Sequence, residues 1–361
     1  YVDEINVTHG GEGTKLYSTA NSAFKTRCLQ NNLHLLDASV RHLGTENNLR
    51  MLEQTYEYLK EKVEFRFECP VAHIESDGQG DNQLELANGE KVEADFLVIA
   101  PGRAGAEWFS NECNRLGIEQ ENNRVDVGVR VEVPDEVWND ITSQVYEAKL
   151  LYRTKQYGDF VRTFCMNPGG LVSEEHYEGG IAVVNGHSYN DASLRTENTN
   201  FAMLVSTHFT KPFGEPIRYG NYIAQLGNML TGGGVMVQRL GDLLLGRRTD
   251  ESRLAKSTTK PTLKTAVPGD LSFVLPHRHL TSIIEAMRAF DKLAPGLYSR
   301  NTLLYGVEVK FYSSKVNVNN RFETAVSGLY AIGDGAGITR GLMQASVTGV
   351  CVARDIKKSC K

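Results

Sequence analysis

The 361-residue sequence lacks the features that mark nucleic-acid-binding and membrane proteins. Its 39 lysines and arginines are offset by 44 acids, and no basic block is longer than a pair such as Arg247 and Arg248. This balance argues against nucleic acid or an anionic membrane as the main partner. No apolar run approaches the roughly 18 residues of a membrane span, and no signal peptide is recognisable, so we expect neither a span nor secretion.

Paired cysteines are also lacking. The six cysteines are scattered, without a C-x-x-C spacing and without a histidine close enough for a zinc finger. We interpret them as reduced thiols, expect no metal site, and predict a cytoplasmic protein.

The G-x-G-x-x-G signature of a dinucleotide-binding loop is absent as well. The nearest candidate begins at Gly11 and Gly13, but Leu16 stands where the third glycine would be. No suitably placed acid follows at the end of a second strand. We therefore interpret this stretch as a turn.

Two apolar segments, each ending in a glycine-bearing turn, are what the sequence does contain. They are ADFLVIAPGRAG at 94–105 and GLYAIGDGAG at 328–337. As neighbouring parallel strands they would define a crevice at their carboxyl ends, where such sheets bind ligands. Backbone N–H groups and the Asp334 carboxylate would suit a ligand that carries phosphate or an electron-rich ring edge together with hydroxyl groups. The alternative interpretation of GDGAG is a tight turn with a helix cap.

The pattern between these segments predicts a second domain. Short strands separated by turns, in LLYRT, DFVRTFCM, GLVSEE and GIAVVNG, indicate an antiparallel meander, interrupted by helices. One helix is expected after an N-cap at Thr281. We predict one domain from residues 1–122 and 322–361, with residues 123–321 inserted.

Several local elements are predicted in the flanking segments. EINV near the start is strand-like, and the alternation of Val63, Phe65 and Phe67 predicts a strand. A helix is expected from about residue 47 to 62, with an apolar face at Leu49 and Leu52 lying on a sheet.

The paired motifs, separated by a large insertion, resemble the flavoproteins of the glutathione-reductase-like FAD superfamily. In order along the chain, VDVGVRVEVP, VRTFCMNPGG, PGDLSFVLP and LLYGVEVKFYSS resemble a bacterial family of FAD-dependent, NAD(FAD)-utilising dehydrogenases. The likeness covers roughly residues 94–356. It implies an α/β fold: an FAD/NAD(P)-binding Rossmann-like domain, incomplete and discontinuous, with an inserted α+β antiparallel-sheet domain.

The resemblance also implies cofactor-binding residues. Asp334 would hydrogen-bond the ribityl chain of FAD, and a helix beginning near Gly337 would aim its N-terminus at the pyrimidine edge of the flavin. Val71 would meet the adenine through its backbone. The turn positions near the cofactor would be Ala100, Gly102, Gly333, Gly335 and Gly337.

The missing first βαβ unit leads us to expect a truncated form of a longer flavoprotein. The segment HGGEGTKLYST is also shorter than the matching segment of the family. Because the phosphate loop would supply most donors to the pyrophosphate, we expect this chain to hold FAD weakly or not at all.

Four residues are candidates for the chemistry. Arg162 could bind a substrate carboxylate, or be an arginine of the surface or of a domain interface. Cys165 could be a redox thiol or a packing residue. His187 could donate a proton or simply lie in a loop. Lys310 and Glu308 lie on the same face of a strand. That face would point either toward the flavin or toward water.

The sequence thus predicts an FAD-dependent oxidoreductase of unknown small-molecule substrate. NAD(P)H would act only as a transient reductant, because a second G-x-G-x-x-G is lacking. The rival hypothesis is a non-redox binding or RNA-modification accessory protein that retains the flavoprotein fold.

Overall fold

The computed structural model describes residues 1–20, 22–77, 80–177, 180–189, 191–210, 212–213, 215–310 and 314–360. In these residues the helices are α1 (Val2–Asn6), α2 (Ala23–Gln30), α3 (Gly44–Leu59), α4 (Ala106–Arg115), α5 (Asn139–Val145), α6 (Pro216–Thr231), α7 (Leu240–Leu243), α8 (Glu251–Ala255), α9 (His277–Phe290) and α10 (Leu342–Ser359). The strands are β1 (Leu16–Ser18), β2 (His34–Leu35), β3 (Ser39–Arg41), β4 (Val71–Ser76), β5 (Asn82–Leu86), β6 (Lys91–Ala94), β7 (Leu97–Ile99), β8 (Gln120–Glu121), β9 (Val125–Pro134), β10 (Leu150–Arg153), β11 (Phe160–Asn167), β12 (Leu171–Tyr177), β13 (Ile181–His187), β14 (Asn198–Thr207), β15 (Met236–Arg239), β16 (Val267–Pro268), β17 (Leu303–Lys310), β18 (Lys315–Val316) and β19 (Leu329–Ala331).

A large mixed sheet dominates this α/β fold. Its eight strands lie in the order β16, β15, β17, β9, β14, β11, β10, β2. Only β15 and β16 pair in parallel, and the other neighbours are antiparallel. The expected meander is found only in part, because β12 and β13 form a separate hairpin and β11 pairs with β14 instead.

The central strand β9 has two faces of opposite character. Its alternate valines, from Val125 to Val133, are buried in the main core, which also contains Ile283 and Met287 of α9. The other face carries charged residues, including Arg130, that are buried too. Gly186 of β13 lies directly over Arg130, so the β12–β13 hairpin covers this face. The sheet is therefore enclosed on both sides. One side is apolar, and the other combines the buried charged residues with an apolar cluster that includes Val184, Leu303 and Tyr305.

A second, two-stranded sheet consists of the parallel strands β7 and β19. β7 pairs with β19 in register from Leu97 with Leu329 to Ile99 with Ala331. One face packs on Phe109 of α4, and the other on Val352 of α10. The strands are therefore neighbours, as expected. The expected cover by helices on both sides is found only in part, because Val98 of β7 is 41% exposed.

Three local expectations were wrong. EINV lies in α1, where Asp3 and Glu4 fall in the first helical turn and suit its positive end. Phe65 lies before β4 rather than in a strand; with Phe67 it packs around Tyr56, at ring distances of 5.1 and 5.8 Å. α3 forms as predicted, but Leu49 and Leu52 are each 61% exposed rather than lying on a sheet.

The predicted domain division is not decided by this architecture. Residues 97–99 and 329–331 come together as predicted. However, β2 joins the large sheet, and Phe24 and Cys28 of α2 lie in its core. The boundary near residue 122 therefore stays a prediction. Of the described helices, none combines the length and apolar character that crossing a bilayer requires.

A buried histidine on α9 makes stability depend on pH. His279 is enclosed next to Thr207, and its Nε2 lies 3.0 Å from the threonine hydroxyl. Burial, reinforced by Arg278 and opposed by Asp159, lowers the pKa of His279 from 6.5 to about 4. As the pH falls below 6.5, His279 therefore takes up a proton in the unfolded chain before it does so in the folded protein. The free energy of unfolding falls as a result until about pH 4.

We predict that His279→Gln flattens this dependence. Between pH 7 and pH 4.5 the free energy of unfolding should fall by roughly 2 kcal/mol less than in the wild type. Urea unfolding at both pH values measures the difference. The exposed His34→Gln is the control and should behave as the wild type. Parallel stability curves for His279→Gln and the wild type would contradict the prediction.

Candidate functional site

The turns that follow β7 and β19 touch each other. A Cβ atom added to Gly335 would lie 2.1 Å from the carbonyl oxygen of Gly102 and 2.7 Å from Cγ of Pro101. Only a residue without a side chain allows this approach. Gly102, Gly333 and Gly337 all have positive φ, so each suits a position that favours glycine.

Asp334 lies in the turn and is held from both sides. Its Oδ1 accepts a hydrogen bond from the Thr339 hydroxyl at 2.6 Å. Its Oδ2 lies 3.7 Å from the Arg103 guanidinium, on the opposite turn. The Asp334 carbonyl also accepts from the Gly337 N–H. The carboxylate is thus fixed at the junction of the two strand ends while remaining partly accessible.

The helix begins later than predicted. α10 starts at Leu342 after Gly341, whereas the sequence predicted a helix from about Gly337. The intervening residues form a loop in which Ile338 and Thr339 donate backbone N–H groups to the Gly333 carbonyl. This bonding, together with the Thr339 side chain on Asp334, competes with helix formation there. The helix N-terminus therefore does not begin at Gly337.

The other predicted cofactor residues divide into two groups. Ala100 is exposed directly after β7, beside the contacting turns. Among the described residues, none lies within 4 Å of a Cβ built on Gly102, so the backbone there is open. Val71 begins β4 in a separate antiparallel sheet with β5 and β6. The structure brings together the glycine turns, Asp334 and Ala100, whereas Val71 lies outside the parallel pair.

A buried charged network lies on the polar face of the large sheet. Arg130 is fully buried, and its Nε donates to Asn200 Oδ1 at 2.8 Å. Its Nη1 contacts both oxygens of Glu308 at 3.3 and 3.1 Å. Its Nη2 donates to the Cys165 carbonyl at 2.7 Å. Lys310 Nζ lies 2.9 Å from Glu308 Oε1. The network therefore contains two cations and one carboxylate.

Two β-bulges aim these partners at Arg130. On β11 the register shifts between Phe164 and Asn167, and Cys165 has a φ of 47°. On β17 the register shifts between Tyr305 and Glu308, which places Glu308 opposite Gly128. β-bulges change the direction in which groups on a strand point, and they are over-represented next to active sites.

Of the candidate residues for the chemistry, Arg162 lies in an ion pair. Arg162 pairs with the buried Asp126 at 2.6 Å, and Asp126 lies opposite Lys310 in the sheet. Burial alone would raise the pKa of Asp126, but Arg162 and Arg124 outweigh it and lower that pKa. Arg162 is thus a largely buried ion-pair residue.

Cys165 and Lys310 both belong to the Arg130 network, Cys165 through its backbone. The Cys165 N–H donates to Glu147 Oε1 at 3.0 Å, so this residue is held at both backbone groups. His187 is exposed at the end of β13, opposite Leu171. His187 is therefore placed apart from the Arg130 network.

Tyr177 is a half-buried tyrosine at the end of β12. Its pKa is raised to about 12, first by burial and then by Glu175 and Glu308, while Arg103 opposes the rise. Arg103 is the residue that faces Asp334.

Sequence reasoning missed Arg130, Asn200, Tyr177 and Arg103. The signal for Arg130 was present in VDVGVRVEVP, where polar residues alternate with valines. That alternation is usual for a strand with a wet face, so it did not distinguish a buried charged face from an exposed one. Arg103 follows Gly102 directly.

We predict that Gly335→Ala forces the two turns apart. Because the new methyl group would collide with backbone and proline atoms, overpacking should lower the free energy of unfolding by about 1–3 kcal/mol. Denaturant unfolding measures this change. Gly349→Ala in α10 is the matched control, since its Cβ would meet its nearest neighbour at 3.8 Å. An unchanged stability for Gly335→Ala would show that the turns do not pack as described.

One known protein is similar to this chain over most of its length. An uncharacterized protein of Clostridium beijerinckii is 26% identical over 341 residues, which are 88% of this chain and 62% of that protein. The chain thus spans less than two thirds of that relative's length.

Solved structures show only loose likeness of shape. A salicylate hydroxylase substrate complex gives a TM-score of 0.35 at 10% identity, covering 88% of this chain and 55% of that one. The 2,6-dihydroxypyridine-3-hydroxylase from Arthrobacter nicotinovorans gives 0.35 at 11%, covering 94% and 71%. Glycine oxidase from Geobacillus kaustophilus gives 0.32 at 11%, covering 99% and 68%. These values are too low to transfer a substrate or a reaction.

The family assignment comes from a match over more than half of the sequence. The profile of the family described as "FAD-dependent protein, C-terminal domain-like" matches residues 124–311, which run from just before β9 to just beyond β17. The matched segment includes Arg130, Cys165 and Glu308 of the charged network. The chain belongs to this FAD-dependent protein family.

Proposed function

We propose that this chain is part of an FAD-dependent oxidoreductase and that FAD lies across the carboxyl ends of β7 and β19. The observation that carries the proposal is the parallel pairing of these strands, which puts the Asp334 turn against the Gly102 turn. Crevices at the carboxyl ends of parallel strands are the usual ligand sites of α/β sheets. Membership of an FAD-dependent family supports the same ligand.

The residues at this crevice have the chemistry that FAD requires. Asp334 is an acceptor for ribityl hydroxyl groups, and Arg103 and Thr339 hold its carboxylate in place. Backbone N–H groups of residues 333–336 would be the donors for the electron-rich flavin edge, because the Gly337 N–H already donates to the Asp334 carbonyl. The open backbone at Gly102 allows close approach. When bound, FAD would supply electron or hydride transfer, while the chain would supply orientation and charge.

The finer assignments are part of the proposal. We assign dehydrogenase chemistry on a small-molecule substrate, in the cytoplasm, with NAD(P)H as a transient reductant that lacks a site of its own. Nothing in the family match favours the rival hypothesis of a non-redox binding or RNA-modification accessory protein. Bound flavin that NADH or NADPH reduces in stopped-flow measurements within turnover times would support the oxidoreductase, whereas flavin that neither reduces would favour the rival.

We predict that Asp334→Ala weakens FAD binding. A hydrogen bond to a charged group contributes about 1.5–3 kcal/mol, so the Kd for FAD should rise by about 10- to 100-fold. Titration of the purified full-length protein with FAD, followed by the change in flavin fluorescence, measures the Kd. Asp140→Ala, which removes an exposed acid from α5, is the control and should leave the Kd unchanged.

Two results would contradict the cofactor proposal. One is a full-length protein that is colourless as purified and shows no saturable response to FAD. The other is an equal Kd for Asp334→Ala and the wild type, which would place the flavin away from the strand ends.

A further inference from the structure

Three arginine side chains converge on one buried carboxylate at an end of the large sheet. Asp242 of α7 is 1% exposed. Its Oδ1 lies 2.9 Å from Nε of Arg247 and 3.9 Å from Nε of Arg253. Its Oδ2 lies 3.8 Å from Nη1 of Arg239. Because Arg247 and Arg253 reach the same oxygen atom, their guanidinium groups are held side by side. We call these three arginines the arginine cluster.

Further contacts fix the cluster in place and leave part of it open to solvent. The Thr249 hydroxyl donates to Asp242 Oδ2 at 2.9 Å. Arg253 Nη1 donates to Asp250 Oδ2 at 2.6 Å. The side chains of Arg247 and Arg253 nevertheless remain 46% and 38% exposed. Two guanidinium groups are therefore anchored on their inner side and accessible on the other.

The surface around the arginine cluster carries more basic than acidic side chains. The segment 239–260 contains six basic and three acidic residues, although the whole chain has a net charge of −5. Arg300 adds a cation beside α7, since its carbonyl accepts from the Gly241 N–H at 3.1 Å. Asp270 adds a carboxylate, which accepts from Gln238 Nε2 at 3.4 Å. The region thus holds seven cations and four carboxylates.

The carboxylates of this region do not neutralise the exposed guanidinium groups. Asp242 is shared by three arginines, and Asp250 pairs with Arg253. Glu251, in the first turn of α8, pairs with no cation in the part of the chain that the structure describes. Glu132 lies two strands away on β9 and is fully buried. An excess of positive charge therefore remains on the accessible side of the cluster.

The arginine cluster lies away from the proposed cofactor crevice. The carbonyl of Gly337, in the strand-end turn, accepts from Asn123, two residues before β9 begins. Arg239 lies toward the other end of the sheet, because it pairs with Leu303 of β17, which pairs with Glu132 of β9. At about 3.3 Å per residue, the strand between these points is roughly 20 Å long. A ligand of the cluster would therefore be distinct from the flavin.

We propose that the arginine cluster binds the phosphate group of a small molecule. Arg247 and Arg253 contact the phosphate, and Asp242 is the residue that positions them. Guanidinium groups bind phosphate oxygens through pairs of N–H donors in a fixed plane. A phosphate suits two adjacent guanidinium groups better than a carboxylate does, because it offers three acceptor oxygens and nearly two negative charges. This site goes beyond the proposed function, since it involves neither the flavin nor the strand-end turns.

Titration calorimetry on the purified full-length protein, with no flavin added, tests the site. The probes are inorganic phosphate, phenyl phosphate and, as a singly charged anion, acetate, all at constant ionic strength. Both phosphates should bind in a saturable way, and acetate should not. In Arg247→Gln the Kd for phosphate should rise by about 10-fold, because one planar set of donors is lost. Higher ionic strength should also weaken binding, since the guanidinium groups are partly exposed.

Arg218→Gln is the matched control. Arg218 is 81% exposed on α6 and pairs with Glu215, so this change removes the same charge outside the cluster. It should bind phosphate as the wild type does. If Arg247→Gln does not fold, Arg253→Gln replaces it. Vesicles that contain phosphatidic acid distinguish a lipid headgroup from a free phosphate compound, and they should not retain the protein.

Four outcomes would overturn the proposal. They are that neither phosphate saturates, that acetate binds as tightly as phosphate, that Arg247→Gln and Arg253→Gln bind as the wild type does, or that the vesicles retain the protein while the free phosphates do not bind. None of these outcomes depends on the FAD titration. Phosphate binding without FAD binding would remove the proposed function and keep this site, and the reverse result would remove only this site.

Discussion

The buried guanidinium of Arg130 is the constraint on which the centre of the large sheet depends. A charge enclosed on every side must find hydrogen-bonding partners, or the folded state is strongly destabilised. The two strands that supply them are both distorted: the bulge on β11 turns the Cys165 carbonyl inward, and the bulge on β17 brings Glu308 into reach. The covering hairpin also adapts, since a Cβ at Gly186 would lie 2.1 Å from Asn200 Oδ1 and 2.5 Å from Arg130 Nε.

The parallel pair of β7 and β19 imposes a different constraint, of chain topology. The two strands are separated by more than 200 residues, so a large part of the chain must fold between them. Their adjacency is specified locally by glycine, since the carbonyl of Gly102 occupies the space that a side chain on Gly335 would need. The same closeness places Arg103 of one turn beside Asp334 of the other. The topology therefore creates the pair of charged groups at the crevice.

The sequence predicted most reliably those elements whose apolar pattern matches their final surroundings. β19 is apolar and is buried on both faces, whereas β7 is apolar on both faces but leaves Val98 exposed. Ile283, Met287 and Phe290 form the buried stripe of α9. α9 begins at His277, with Pro276 as its N-cap, so Thr281 lies inside the helix rather than capping it. The predicted sheet contact of α3 failed, since periodicity shows which face is apolar but not what lies against it.

The site was predictable only where it consists of local motifs. GDGAG and APGRAG located the strand-end turns, and the strand pattern found Lys310 and Glu308 on one face. The Arg130 network was not predictable, because it depends on register shifts in two strands and on a hairpin that pairs with neither of them. Bulges leave no periodic signal in the sequence.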